Sequence, residues 1–265
     1  MQHVDDKGYL VVAVNNSDTD YIACARCLAK SLKHWHPDAK ICLATDHPLD
    51  DDVFDYVRVL PYASELEWKL DLDWQIFYTT PFHETIKLEA DLLITGPIDH
   101  WWTLLRQKDL VFSTDVVDHR GQVSNNRMYR RIFDLNMLPN AYNAITYWRY
   151  SRNAEMFFNT VKDVFTKWSI VQENIKSGAD EVPNTDLAYA LSADLLGREN
   201  FILPGVGPMM VHMKPGILGT SAEDWSKELT WEIDRGTMRV NGYTQSSFFH
   251  YQQKHLAKEF VTHYE

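Results

Sequence analysis

Two carboxylates, Glu89 and Asp91, interrupt a run that otherwise reads as a buried strand: Glu84-Thr85-Ile86-Lys87-Leu88-Glu89-Ala90-Asp91-Leu92-Leu93-Ile94. An ionised carboxylate in an apolar interior is costly unless a cation stands beside it. On one extended strand, residues two apart point to the same face. Both carboxylates are therefore expected on one side, where hard oxygen ligands can hold a divalent cation. The flanking Leu88, Leu92, Leu93 and Ile94 disfavour the alternative of an ordinary solvated strand. The pair is expected near the carboxyl end of a strand midway along the chain, where open α/β sheets place their ligands. A metal held there suits a phosphorylated substrate.

His212-Met213-Lys214-Pro215 is a second constellation. On an extended segment His212 and Lys214 share a face, so the imidazole can complete a metal set and the ammonium can neutralise a diphosphate. A core histidine beside a snorkelling lysine explains the same residues, and both readings stay open. Pro183-Asn184-Thr185-Asp186 opens a helix, and an N-cap followed by an acid in the first turn accounts for it without further function.

These residues need elements to position them. Tyr9–Val14 is a short apolar strand, and Asn15–Asp20 is a polar turn in which Asp18 or Asp20 caps the next helix. That helix spans Tyr21–His34, with Ile22, Ala25, Leu28, Ala29 and Leu32 at helical spacing, and Pro37-Asp38 breaks it. Strands follow at Ile41–Ala44 and Tyr56–Leu60. Strand–helix–strand order is the opening of a Rossmann-like nucleotide-binding half. No G-x-G-x-x-G follows the first strand, which disfavours a dinucleotide oxidoreductase and a P-loop NTPase.

Further strands are expected at Leu110–Ser113, Asn143–Trp148 and Met209–Met213. Helices are expected at Asn153–Trp168, with Met156, Phe157, Val161, Val164 and Phe165 on one face, and at Thr185–Leu196, stopped by Gly197. Val117–Arg131 is a polar excursion carrying four arginines: Arg120, Arg127, Arg130 and Arg131.

The chain has 265 residues, 45% of them apolar, enough for one α/β domain with decorations. Residues 1–115 read as a nucleotide-binding half, 116–216 as a second half, and 217–265 as a C-terminal extension. With 26 basic and 37 acidic residues the net charge is −11, which argues against a broad basic surface for duplex nucleic acid or membranes. Cys24, Cys27 and Cys42 read as buried structural thiols, because Cys24-x-x-Cys27 lies inside a helix and has no second pair. Their reduced state suits a reducing compartment. There is no signal peptide at Met1–Asp6 and no run of membrane-spanning length, so the expectation is a soluble, cytoplasmic chain.

The order of these pieces resembles the GT-A fold glycosyltransferases, and within them the glycogenin-like retaining family, glycosyltransferase family eight. The residues that carry the resemblance are Val12-Ala13-Val14-Asn15, Tyr21, Ser31-Leu32, Lys69-Leu70, Leu88-Glu89-Ala90-Asp91-Leu92-Leu93-Ile94, Tyr142-Asn143-Ala144-Ile145, Asn184-Thr185-Asp186, His212 and Lys214-Pro215. It covers Tyr9 to Gly216. The resemblance implies a mixed central sheet flanked by helices and a nucleoside-diphosphate sugar donor, a UDP-sugar by that analogy.

It further implies that Val14, Asn15 and Tyr21 hold base and ribose, and that Glu89, Asp91 and His212 hold Mn²⁺ or Mg²⁺. Lys69 and Lys214 would face the diphosphate. Asn143, Asn184 and Asp186 would contact the sugar, with retention of configuration. Glu89 stands where the family has Asp, Ile145 where it has Gly and Thr185 where it has Gln. These departures admit a second class, a non-catalytic nucleotide-sugar-binding relative. A metal-dependent nucleotidyltransferase shares the carboxylate strand but wants a phosphate loop that Asn15–Asp20 does not supply.

The acceptor is expected to be a carbohydrate, with a modified DNA base as the other class. The Arg120–Arg131 segment and the Tyr243–Lys258 tail combine basic and aromatic side chains suited to a polyanionic or sugar acceptor. A solvated surface is the simpler explanation of such a charge run.

Overall fold

The structure is a computed structural model that describes residues 3–62, 73–123, 130–176, 183–204, 210–218 and 223–264. Thirteen strands are present among the described residues. In chain order they are β1 (Asp5–Val12), β2 (Ile41–Thr45), β3 (Tyr56–Val59), β4 (Phe82–Glu89), β5 (Leu92–Ile94), β6 (Leu110–Ser113) and β7 (Val116–Val117). They continue with β8 (Tyr142–Arg149), β9 (Met210–His212), β10 (Trp231–Asp234), β11 (Thr237–Val240), β12 (Tyr243–Thr244) and β13 (Phe248–His250).

The expected mixed sheet flanked by helices is present. Six strands run in the order β3-β2-β1-β4-β8-β6. β1 lies parallel to β2 and to β4, and β2 to β3, while β8 runs antiparallel to β4 and β6. From Gly8 on, β1 is apolar on both faces, as a sheet covered on both sides requires. Tyr9 and Val11 join the core under the helix Tyr21–Trp35, and Leu10 joins the core under the helices Arg152–Thr166 and Thr185–Leu196. The first helix buries Ile22, Ala25, Leu28, Ala29 and Leu32, and the Asp20 side chain caps it by accepting from the Ala23 N–H.

The Arg152–Thr166 helix buries Phe157, Val161, Val164 and Phe165 as expected, but Met156 is exposed and Phe158 takes the inward place. Gly197 ends the Thr185–Leu196 helix at φ 90°, a conformation an L side chain rarely adopts. All three cysteines are free and buried, and burial pushes the Cys24 thiol up to about 11, in keeping with structural thiols.

The carboxylate strand is not continuous. β4 ends at Glu89, the chain turns at Ala90-Asp91, and β5 belongs to a second sheet ordered β5-β13-β9-β7. Alternation across one strand therefore does not place the two carboxylates; the turn between two sheets does. That second sheet draws on all three stretches read from the sequence: β5 from the first, β7 and β9 from the second, and β13 from the C-terminal extension, at an interior position.

β5 is an edge strand, so its Ile94 N–H points away from β13. Ser31 supplies the missing acceptor: its buried Oγ accepts from the Ile94 N–H at 3.1 Å and donates to the Leu28 carbonyl at 2.8 Å. A buried N–H left without a partner costs about 1–3 kcal/mol. Ser31→Ala is expected to lower the unfolding free energy by about that amount. Urea titration checks this, and an unchanged midpoint would show that Ser31 does not anchor β5.

Candidate functional site

β1 is followed by a helix that leads to β2 on one side, while β4 lies on the other side. The crevice beyond the carboxyl ends of β1 and β4 is thus a topological switch point, where open α/β sheets bind ligands. Val12 pairs with Glu89 at those ends. A cavity of about 520 Å³ opens there.

Of the residues selected from sequence, Val14, Tyr21, Glu89, Asp91, Asn143, Asn184 and Asp186 line this cavity. Asn15 does not. Its side chain accepts from the Ile22 N–H at 3.0 Å and donates to Asp20 at 3.1 Å, which shapes the helix start, and Asn16 lines the cavity in its stead. His212 and Lys214 line an adjoining pocket of about 150 Å³, which shares Glu89, Asn143, Asp186 and His250 with the larger one. Lys69 and Arg127 lie outside the described residues.

The ligand atoms that gather are those of Glu89, Asp91 and His250, all within 4.8 Å of one another. His250 Nε2 is 3.0 Å from Asp91 Oδ1 and 3.4 Å from Glu89 Oε2. The sequence reading put His212 in this place. β13 pairs His250 directly opposite His212, and His212 stacks behind it with ring centroids 4.6 Å apart. Lys254, four residues after His250, reaches Asp91 Oδ2 at 2.9 Å. The signal for His250 was present in the sequence: a titratable group inside the apolar run Phe248-Phe249-His250-Tyr251. The reasoning that selects Glu89 and Asp91 applies to it unchanged.

Charges balance closely here. Burial would push the Asp91 pKa up, but the charges and hydrogen bonds of His250 and Lys254 hold it well below the carboxylate range. Burial would push His250 down, but Asp91, its hydrogen bond and Glu89 raise it above 6.5. Glu89 is raised by burial, and its side chain keeps 30% exposure where it faces the cavity. His212 is pushed well below its usual value by burial and then by His250 and Lys214, so it stands neutral behind the site.

A second network fixes another part of the lining. The Arg130 guanidinium lies between the rings of Phe133 and Tyr142, 3.9 and 4.1 Å from their centroids. It donates to Asp186 Oδ2 at 2.6 Å, to Asn140 Oδ1 and to the Ala141 carbonyl. Asp186 Oδ1 accepts from the Asn143 N–H at 2.8 Å. The Asn143 side-chain amide donates to Asp73 Oδ2 at 2.7 Å, and buried Lys87 bridges Asp73 and the Asn143 carbonyl, at 3.4 and 2.9 Å. Asp73 and Lys87 also line the cavity, and sequence reading did not select either. Asn184 caps its helix by accepting from the Leu187 N–H.

No protein-family model matches the chain, and no curated protein sequence does. Solved structures do. A galactosyltransferase, LgtC, in complex with donor and acceptor sugar analogs, is similar at a TM-score of 0.53 and 14% identity, over 98% of this chain and 95% of that one. The glycosyltransferase GlyE of Streptococcus pneumoniae TIGR4 gives 0.50 at 12% identity, over 97% of this chain and 61% of that one. Mouse xyloside xylosyltransferase 1 gives 0.50 at 10% identity, over 93% and 97%. The likeness at these identities is one of fold.

Two outcomes follow from the charge networks. Arg130→Met leaves the largely buried Asp186 carboxylate without its cation and is expected to destabilise the fold by about 3 kcal/mol, read by urea denaturation. Arg130→Lys keeps charge but loses the planar fork, and is expected to restore only part of this. For His250, a folded pKa above the unfolded 6.5 contributes stability that is complete below 6.5 and is lost as pH rises through the raised value. Metal-free protein is therefore expected to lose stability as pH is raised through that window, and His250→Gln to flatten the slope.

Proposed function

We propose that this protein is a metal-dependent glycosyltransferase that moves a sugar from a nucleoside-diphosphate sugar, a UDP-sugar, to a carbohydrate acceptor with retention of configuration. The observation that carries the reading is the gathering of Glu89, Asp91 and His250 on the wall of the switch-point cavity. The shared fold of sugar transferases supports it.

The donor set suits the ion. Two carboxylates and an imidazole fit Mn²⁺ or Mg²⁺, hard cations that take oxygen ligands and accept nitrogen. Glu89, Asp91 and His250 would hold it, with His250 in the place the sequence reading assigned to His212. When bound, the ion supplies Lewis-acid stabilisation of the leaving diphosphate.

The chain's own groups do the rest. Val14, Asn16 and Tyr21 enclose base and ribose. Lys254, on the wall of the cavity, and Lys214, on that of the adjoining pocket, would add positive charge as the leaving group develops. Asp186, Asn184 and Asn143 orient the sugar through its hydroxyls. Asp186 is fixed before substrate arrives because both of its oxygens are already bonded within the protein. Fixed dipoles and charges of this kind need no reorganisation during reaction.

Calorimetry with UDP in Mn²⁺ and in EDTA tests the reading. Binding is expected in Mn²⁺ and to weaken at least about tenfold in EDTA, with donor turnover in Asp91→Asn reduced about a hundred- to a thousand-fold. Equal binding in both buffers would remove the metal. UDP-sugar that is bound but never hydrolysed or transferred would favour a non-catalytic binding protein.

A further inference from the structure

The two segments that combine basic and aromatic side chains in the sequence meet in space, outside the donor cavity. Arg120 from the first, with His119 just before it, and Tyr243 and Gln245 from the second line one cleft of about 430 Å³. Trp101 and the strand residues Met210 and Val211 complete its floor. The two segments are tied together: the Gln245 side-chain amide donates to the His119 carbonyl at 2.9 Å and to the Tyr243 carbonyl at 2.7 Å. The His119 and Tyr243 rings meet edge to face, 5.9 Å apart at 78°.

Three features point to a ligand. Tyr243 is 50% exposed, which leaves part of an aromatic ring open at the cleft. His119 is only 8% exposed, and its buried Nδ1 has no hydrogen-bond partner among the described residues. Buried polar atoms are nearly always satisfied, so the ring keeps hydrogen-bonding capacity that the described residues do not use. None of the described lining residues is Asp or Glu, although the chain carries a net charge of −11. Asp118, which pairs with Arg120 at 2.6 Å, keeps only 5% of its side chain exposed. Its carboxylate is also occupied by the Arg120 and Gln122 N–H groups. Arg120 itself keeps 44% exposure.

We propose that this cleft is a binding subsite for an anionic saccharide, the part of the acceptor chain remote from the sugar that reacts. An open aromatic ring packs on the apolar face of a sugar ring. The imidazole, the guanidinium and the nearby Ser246 and Ser247 supply donors for hydroxyls and for an acidic group. Strand β9 connects this cleft to chemistry, because Met210 lines it while His212, two residues on, stands in the wall beside the donor cavity. At roughly 3.3 Å per residue that spans only about one or two sugar units. The acceptor role rests on the transferase reading; binding itself does not.

Calorimetry on the full chain tests it with tetragalacturonate, with its fully methyl-esterified counterpart and with a phosphodiester-linked glucan, alongside UDP in Mn²⁺. At least one anionic glycan is expected to bind, and the uncharged ester about tenfold or more weaker. Tyr243→Ala, a change at a half-exposed side chain, and His119→Ala are each expected to weaken binding about tenfold and to leave UDP binding unchanged. Which anionic glycan binds identifies the acidic group as carboxylate or phosphate. Equal affinity for the ester, no binding of either anionic glycan, or undiminished binding by Tyr243→Ala would overturn the proposal. Saccharide binding without UDP binding would sustain the cleft and overturn the transferase reading instead.

Discussion

The arrangement of this protein depends on keeping the Asp91 carboxylate ionised where only 7% of its side chain meets solvent. That condition is met by two groups from the C-terminal part of the chain, the His250 imidazole and the Lys254 ammonium, each within 3.0 Å. It dictates topology. The chain must turn after Glu89, pass from the large sheet into the small one, and meet a strand that arrives some 160 residues later in sequence, between β5 and β9. A tail that carried these groups but did not enter the sheet could not hold them at fixed distance. Here the backbone adds a further tie, since the Tyr251 N–H donates to the Asp91 carbonyl.

The same condition explains what could be read in the sequence and what could not. Local patterns located the parallel strands, the helix that starts at Tyr21 with Asp20 as one of two candidate caps, and the Thr185–Leu196 helix with its Gly197 stop, because propensity, capping and burial all agree at those positions. Glu89 and Asp91 were visible because charge in an apolar run is conspicuous. Their geometry was not, since a two-residue turn inside such a run leaves no Gly or Pro to mark it.

His250 and His212 show the limit from another side. Both are histidines in short apolar strands, and each has a lysine a few residues on. Only the pairing of β13 with β5 on one side and β9 on the other decides which ring faces the carboxylates and which stands behind. Register between strands distant in sequence is a tertiary fact, and no window of residues contains it. Arg130 is similar. Its neighbours mark an arginine-rich excursion, yet its fork closes on Asp186, 56 residues away, between two aromatic rings.

Stability alone does not account for these networks. A buried ion pair replaced by well-packed apolar side chains is often neutral or even stabilising, because desolvation offsets the Coulomb gain. The chain nevertheless connects Asp73, Lys87, Asn143 and Asp186, all on the wall of the cavity that Asp91 also lines, with Arg130 behind Asp186. What such a line provides is orientation: each carboxylate is held in place from within the protein. A site that binds a polar ligand benefits from this, since groups free to rotate would lose entropy on ordering each time the ligand bound. The retention of costly charge around one cavity is thus an argument for function drawn from energetics, and it does not depend on the likeness of fold.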